Sequence, residues 1–455
     1  MQHRDGMAGQ WLSRRRALAA GAAGLGGALA AACGAGGTSG QPSQGAARRG
    51  PVSIDVLTRA GVNNPTGHSQ YFNTTAKQSF TPETNITVNF IDADPDVGTK
   101  LTVMAAGGTV PDASWFGIVA DGSAGREQAQ KGIFKPLDDL IKKDTKFDLK
   151  PYFKSMLDAF TVAGKLYALP IHAHYGTNVL YYNKPALDAA GIKIPADGNW
   201  TIDEFVAAGQ KAVKRDQDIW FFWPDFADVS EFGVFWVRQF GGEFLDEAGK
   251  KVLLDSKEAR DGLQWVYDCA SKFGLIDNLY RSESKDALFE QQGKLLTRST
   301  TPGLVAEYRK PGQQRVKFDL GIALFPKGPK GHGTQASGSG MGLTNPAKAD
   351  AVWEWLKFVT SKENGIGQVF GGAGSPGGRT DVWTDPKLLA FDPIYSNIVK
   401  AYPQGAGSLR LPANNRRTEL LKAVNDELAN FWKGQASVAD ATAKAVQAGN
   451  AVLSQ

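Results

Sequence analysis

Two periods alternate along this chain beyond residue 50, and their alternation restricts the folds open to it. "VSIDVLT" (Val52 to Thr58) sets Val52, Ile54 and Val56 against polar neighbours, the two-residue period of a half-buried strand. "ITVNFID" (Ile86 to Asp92) is a second such segment, followed by a helical stretch over Lys100–Ala106 with Leu101, Met104 and Ala105 on one face. "PDASWFG" begins a third strand. Strands alternating with helices predict an α/β fold with parallel sheets, right-handed crossovers and ligands at the carboxyl ends of the strands. In "NWTIDEFVAAGQKAV", Thr201 can cap a helix while Glu204 returns the bond, and Trp200 can staple onto Phe205. Leu420, Leu421, Val424, Leu428 and Phe431 keep helical spacing, and Ser437 with Asp440 opens a further helix. No internal repeat is present.

Ahead of this alternation, "SRRRALAAGAAGLGGALAAACGAGG" (Ser13 to Gly37) joins an arginine cluster to an uncharged run that ends at Cys33. The run is mostly Ala and Gly, with Leu18, Leu25 and Leu29 as its large apolar groups. It is too short and too weakly apolar for a span of about 20 residues, and its four glycines would weaken a buried helix. Basic residues before a modest apolar stretch closed by small residues make residues 1–32 a removable export signal. Ser13-Arg14-Arg15-Arg16-Ala17-Leu18 resembles a twin-arginine motif. Ala17 stands where that pattern carries a large apolar residue, so the general secretion route stays open. Leu29-Ala30-Ala31-Ala32-Cys33 resembles a lipobox, whose cysteine is lipidated and begins the mature chain; ordinary cleavage with Cys33 discarded is the alternative. Residues 34–50 are Gly- and Ser-rich without an apolar period and read as a flexible tether. Residues 33–50 would thus hold a globular body near a membrane surface by a lipid.

The 455 residues suggest two or three domains. Lys and Arg number 51 against 46 Asp and Glu, for a net charge of +5, but residues 1–32 hold four arginines against Asp5. The remainder is near +2, which gives no case for nucleic-acid binding. Cys33 and Cys269 are the two cysteines, so no internal disulfide framework exists and the body must hold together by core burial. Cys269 sits with Leu263, Val266, Tyr267 and Ala270 at helical spacing, as a core thiol would.

Catalytic motifs are missing. There is no nucleophile elbow and no HExxH pattern, and "GGAGSPGG" (Gly371 to Gly378) lacks the Lys-Ser/Thr of a phosphate loop. His172 and His174 would share a strand face, but two imidazoles without a third ligand make no zinc site, so no metal and no cofactor is expected. Asp225, Asp228 and Glu231 could pair as glycosidase carboxylates, a mechanism that needs a defined separation; solvated charges are the plainer reading.

Several segments together resemble one family. "PDASWF", "GKLYALP" (Gly164 to Pro170), "VLYYNKPALDAAGIKIP", "WTIDEF", "FEQQGKLL" (Phe289 to Leu296), "LFPKGPKG", "SGSGMGL", "AVWEWLKFVTSKE" and "SPGGRTDV" are similar, in family order, to the extracellular solute-binding proteins of ABC importers, in the sugar-binding family that includes maltose-binding protein. Leu295-Leu296 replaces that family's usual Ala-Met. The resemblance implies an α/β two-lobe periplasmic-binding-protein fold, type II-like, with lobes joined by hinge segments. It places lobe 1 at 51–172 plus 334–371 and lobe 2 at 177–329 plus 375–455. It further implies a non-enzymatic, monomeric lipoprotein on the extracytoplasmic face of the cell membrane. Such a protein captures a saccharide in the cleft and delivers it to a membrane permease. Binders of polyamine, iron or peptide use the same lobes, and an exported glycosidase is the remaining alternative.

A sugar ring offers C–H faces to aromatic rings and a rim of hydroxyls to polar groups. Trp115, Trp223, Trp236 and Trp383 fall in loops or at strand ends, whereas Trp353 and Trp355 lie in a helix's apolar pattern. Trp223 with Asp225 combines a stacking face and an acceptor. His174, Tyr175 and Asn178 occupy the segment where the resemblance puts ligand contacts. Ser339 and Gly340 lie among small residues that allow close approach, and Arg298 and Arg379 are candidate donors.

Overall fold

Helix and strand follow the alternation in the computed structural model, whose described residues are 50–59, 67–93, 96–118, 124–173, 178–226, 232–310, 312, 315–334, 337–402 and 410–455. The export signal, Cys33 and the tether up to residue 49 lie outside them, as do His174, Tyr175, Asp228 and Glu231. In chain order the strands are β1 (Val52–Arg59), β2 (Ile86–Ala93), β3 (Ala113–Gly117), β4 (Thr161–Val162), β5 (Lys165–Leu166), β6 (Ala168–Ala173), β7 (Val179–Asn183), β8 (Trp220–Phe222), β9 (Leu295–Thr300), β10 (Leu320–Leu324) and β11 (Gly338–Leu343). They form a five-stranded sheet in the order β2-β1-β3-β11-β6, a four-stranded sheet in the order β10-β7-β9-β8, and the small β4-β5 pair.

The expectation of parallel sheets needs correction. β1 runs parallel to β2 and β3, and β8 parallel to β9. β11 is antiparallel to β3 and β6, and β7 is antiparallel to β9 and β10. The physical reason is connectivity: β11 enters the first sheet after the chain has built the second, and not through a strand–helix–strand crossover. Asp112 fixes that insertion. Its carboxylate accepts from the Asp55 N–H and Lys348 Nζ, both at 2.8 Å, and from Asn345 Nδ2 at 2.8 Å, tying β1 to the exit of β11.

Local sequence accounts for most helices. Asp96 caps helix Val97–Ala106 by accepting the Thr99 N–H at 2.7 Å, and Leu101 is buried from it. Thr201 and Glu204 close a full capping box on helix Ile202–Ala212, and Trp200 meets Phe205 edge-on at 5.5 Å. At helix Val438–Leu453, Ser437 accepts the Asp440 N–H, but the Asp440 carboxylate takes the Ser437 hydroxyl at 2.7 Å, so that box is half closed. Cys269 is buried in helix Lys257–Ser271, and burial pushes its thiol well up, as for an unreactive core group. Trp353 and Trp355 are buried in helix Ala349–Val359, which packs on β1 and β11. Trp355 meets Phe80 and Phe90 at 5.1 and 5.7 Å. Each such buried aromatic contributes about 1.5–3 kcal/mol relative to exposure. No helix among the described residues is long and apolar enough to cross a membrane.

Candidate functional site

Strand ends are where an α/β fold leaves side chains free for a ligand. β3 is buried throughout between β1 and β11, and its two-residue period sends Phe116 and Trp115 to opposite faces. Phe116 packs on Phe134 and Phe160, at 4.8 and 5.3 Å. Trp115 instead meets His68 at 6.0 Å, His172 at 5.8 Å and the Arg59 guanidinium at 5.8 Å. Arg59 ends β1, His172 is the penultimate residue of β6, and His68 opens helix His68–Thr75. The two imidazoles lie 4.7 Å apart with 21° between their planes. Gly374, at φ +117°, makes this possible, because a Cβ there would stand 2.9 Å from His68 Cε1.

Trp115 is 1% exposed, and its Nε1–H finds no acceptor among the described residues. Ser337 Oγ is also buried without a described partner, one residue before β11, where Gly338 pairs with Ala173. The β6–β11 register shifts between Ser339 and Gly340, the kind of bulge that re-aims side chains beside binding sites. A guanidinium, two imidazoles and an indole thus cluster over β1, β3 and β6, with the Ser337 hydroxyl at the entry of β11.

The second sheet contributes the segment after β8. Trp223 Nε1 donates to Leu279 O at 3.0 Å, and Trp236 Nε1 donates to Asp225 O at 2.7 Å. Lys285 Nζ donates to Pro224 O at 2.8 Å and to Asp225 Oδ1, while standing 5.0 Å over the Trp223 ring. Burial pushes the Lys285 ammonium down against the opposing pull of Asp225. Behind it lies a largely buried charge network. Arg298 pairs with Asp286 at 2.8 Å and Glu290 at 3.2 Å, Arg315 with Glu290 at 2.9 Å and with Glu307, and Tyr308 donates to Glu290 at 2.7 Å. Burial raises the Tyr308 phenol against the pull of Arg298, and the Glu307 carboxyl against that of Arg315.

The expected site residues divide in this light. Trp115 is the middle residue of β3, Ser339 in β11 lies opposite Gly117 and His172, and Asn178 directly precedes β7 in the second sheet. Trp223 and Asp225 stand together, but one face of Trp223 carries Lys285. The remaining candidates are corrected to packing or ion-pair roles. Trp236 is enclosed by Phe222, Phe235, Trp265 and Phe325. Trp383 is fully buried, with Nε1 on Gly377 O and its ring against Tyr395. Gly340 makes room for Phe160 and Ala168, each 2.9 Å from where a Cβ would be, so its small size serves the core. Arg298 is held in the charge network, and Arg379 chelates Asp381 at 2.9 and 2.7 Å while covering Tyr152. Arg59, His68 and Lys285 had no local signal; the sheets bring them in from distant sequence. No cluster of three or more His, Cys, Asp or Glu that could hold a metal occurs among the described residues.

A profile of the family described as bacterial extracellular solute-binding protein matches residues 66–366. An arabinooligosaccharide-binding protein of Halalkalibacterium halodurans is 32% identical over 117 residues, 26% of this chain and 25% of that protein. Its namesake in Bacillus subtilis is 25% identical over 296 residues, 63% of this chain and 64% of that protein. The chain therefore spans less than two thirds of either relative. Among solved structures, maltose-bound MalE3 of T. maritima superposes with a TM-score of 0.72 at 21% identity, covering 88% of this chain and 100% of that one. The cyclic α-maltosyl-1,6-maltose-binding protein of Arthrobacter globiformis gives 0.69 at 22%, covering 89% and 99%. At such identities the likeness establishes the fold, a two-lobe α/β architecture of the periplasmic-binding type.

Proposed function

The chain belongs to the bacterial extracellular solute-binding proteins, and on that premise we propose that it captures a sugar or oligosaccharide between its lobes and delivers it to the membrane subunits of an ABC importer. The observation that supports a saccharide most directly is Trp115, an indole flanked by His68, His172 and Arg59 whose Nε1–H has no described acceptor. A sugar hydroxyl supplies the acceptor that this indole donor takes. The saccharide names of its relatives point the same way. The lobes of this reading are 51–172 plus 334–371 and 177–329 plus 375–455; strand membership supports the split between 51–172 plus 334–371 and 177–329, because the five-stranded sheet draws on the former and the four-stranded sheet on the latter.

The mechanism is a population shift: solute that binds the closed form better than the open one draws the lobes together. No covalent step is involved. Export and attachment through a lipid on Cys33 complete the reading, keeping the body beside its permease. Mass spectrometry of membrane-extracted protein should find a diacylated N-terminal Cys33; an unmodified N-terminus further along the chain overturns the anchor. Calorimetry with arabino-oligosaccharides and maltodextrins, against spermidine, ferric iron and peptides, tests the ligand class. Saccharide binding without loss of saccharide on long incubation is expected. Binding confined to another class, or hydrolysis, overturns the proposal.

A further inference from the structure

The segment Trp223-Pro224-Asp225 is held at four points: the Trp223 indole on Leu279 O, Pro224 O by Lys285, Asp225 O by the Trp236 indole, and Asp225 Oδ1 by Lys285. Lys285 opens the helical segment that runs into π-helix Ala287–Gln292, far from Asp225 in sequence, and meets all three residues of the segment with a single ammonium. One polar atom of the segment's carboxylate is left over. Asp225 Oδ2 receives no hydrogen bond from any described residue, and the Asp225 side chain remains 31% exposed while Lys285 is 19% exposed. Fixing one carboxylate oxygen and one backbone carbonyl removes the rotational freedom that a hydroxyl acceptor would otherwise lose on binding.

Resting on the saccharide reading above, we propose that Lys285 is a positioning residue that aims Asp225 Oδ2 at a hydroxyl of the solute. Trp236 assists by fixing the backbone carbonyl, and Trp223 works as the seat of the ammonium and not as a stacking platform. The charged described groups that act on Lys285 are Asp225, Arg298 and Asp286, and burial lowers its proton affinity against the two carboxylates.

Two measurements on the full chain test this. In the absence of solute, hydrogen–deuterium exchange of peptides covering residues 220–226 should accelerate in Lys285→Met and return towards the native rate in Lys285→Arg. With a saccharide that the unaltered protein binds, Lys285→Met should weaken affinity about tenfold, the scale of a lost hydrogen bond to a charged group. The native protein should also lose affinity on the alkaline side as Lys285 gives up its proton, a loss absent from Lys285→Arg. Unchanged exchange in Lys285→Met overturns the positioning role whatever the ligand is. Faster exchange with undiminished saccharide affinity overturns the role of Asp225 Oδ2. Faster exchange in a protein that binds no saccharide supports the positioning of the segment and overturns the saccharide reading instead.

Discussion

Trp115 cannot be tested by truncation to alanine, because its burial makes the experiment ambiguous. Removing a buried Trp costs about 3–5 kcal/mol through lost transfer energy and the cavity left behind. That would destabilise the first sheet whether or not the indole meets a ligand. Trp115→Phe keeps an aromatic ring against His68 and His172 and deletes the donor that has no described acceptor. Solute affinity should fall about fivefold to tenfold, the scale of one neutral hydrogen bond, with the melting temperature lowered by only a few degrees. Calorimetry and thermal melts check both; unchanged affinity would make Trp115 a packing residue. The position of Trp115 was legible because "PDASWF" marks a strand start and period two fixes its face. The fate of Trp236 was not, since its enclosure depends on Phe325, which only the fold brings near.

Helices and turns were the most legible elements, for the reason that their determinants are local. The capping box at Thr201 needs four consecutive residues and one apolar neighbour, and all of them can be read directly. Thr201→Ala should cost about 1 kcal/mol, visible as a lower urea midpoint at unchanged slope. The β8 turn has a determinant that sequence hides. Asp218 adopts φ +54° and accepts from Lys294 Nζ at 2.9 Å, Trp220 Nε1 at 2.7 Å and Arg281 at 3.2 Å. These partners, Lys294 foremost, pull its carboxyl down to about 2. A depressed native value means stability that is complete above the unfolded value near 4 and is lost as pH falls through 2. Asp218→Asn should therefore lower stability at pH 6, with the difference from the native protein shrinking towards pH 2. The side chain is 38% exposed, so solvent screening limits the effect to about 1 kcal/mol at most. An equal deficit at both ends of a urea-melt pH series would show that Asp218 acts through turn geometry alone.

Across the whole molecule, family order in the sequence foretold two lobes, while strand direction escaped it. β11 is antiparallel to β3 because the chain returns from the second sheet, and nothing in "SGSGMGL" records the direction of that return. The same holds for contacts between the halves. Arg126, in helix Gly125–Gln130, is anchored beside the first sheet by donating from Nη1 to Ala159 O at 2.9 Å and Thr161 O at 2.6 Å. Its Nε donates at 2.8 Å to Asn415 Oδ1, just before helix Arg417–Trp432. That helix packs through Phe431 on Tyr267 of helix Lys257–Ser271, beside the second sheet, and Ala413 N–H holds Gly249 O at 2.9 Å. Asn415, which also donates from Nδ2 to Gln130 Oε1 at 3.4 Å, therefore links the helix beside the first sheet to the segment before helix Arg417–Trp432. Asn415 has φ +59°, so glycine fits its backbone better than alanine would. Asn415→Gly deletes the bridging carboxamide without backbone strain and leaves both carbonyl anchors of Arg126 intact. The closed population of the unliganded protein should fall about fivefold to tenfold. Small-angle scattering should report a larger radius of gyration at unchanged melting temperature. If scattering is unchanged, the Arg126–Asn415 hydrogen bond does not set the lobe equilibrium. If the melting temperature falls instead, the carboxamide serves the stability of its own loop.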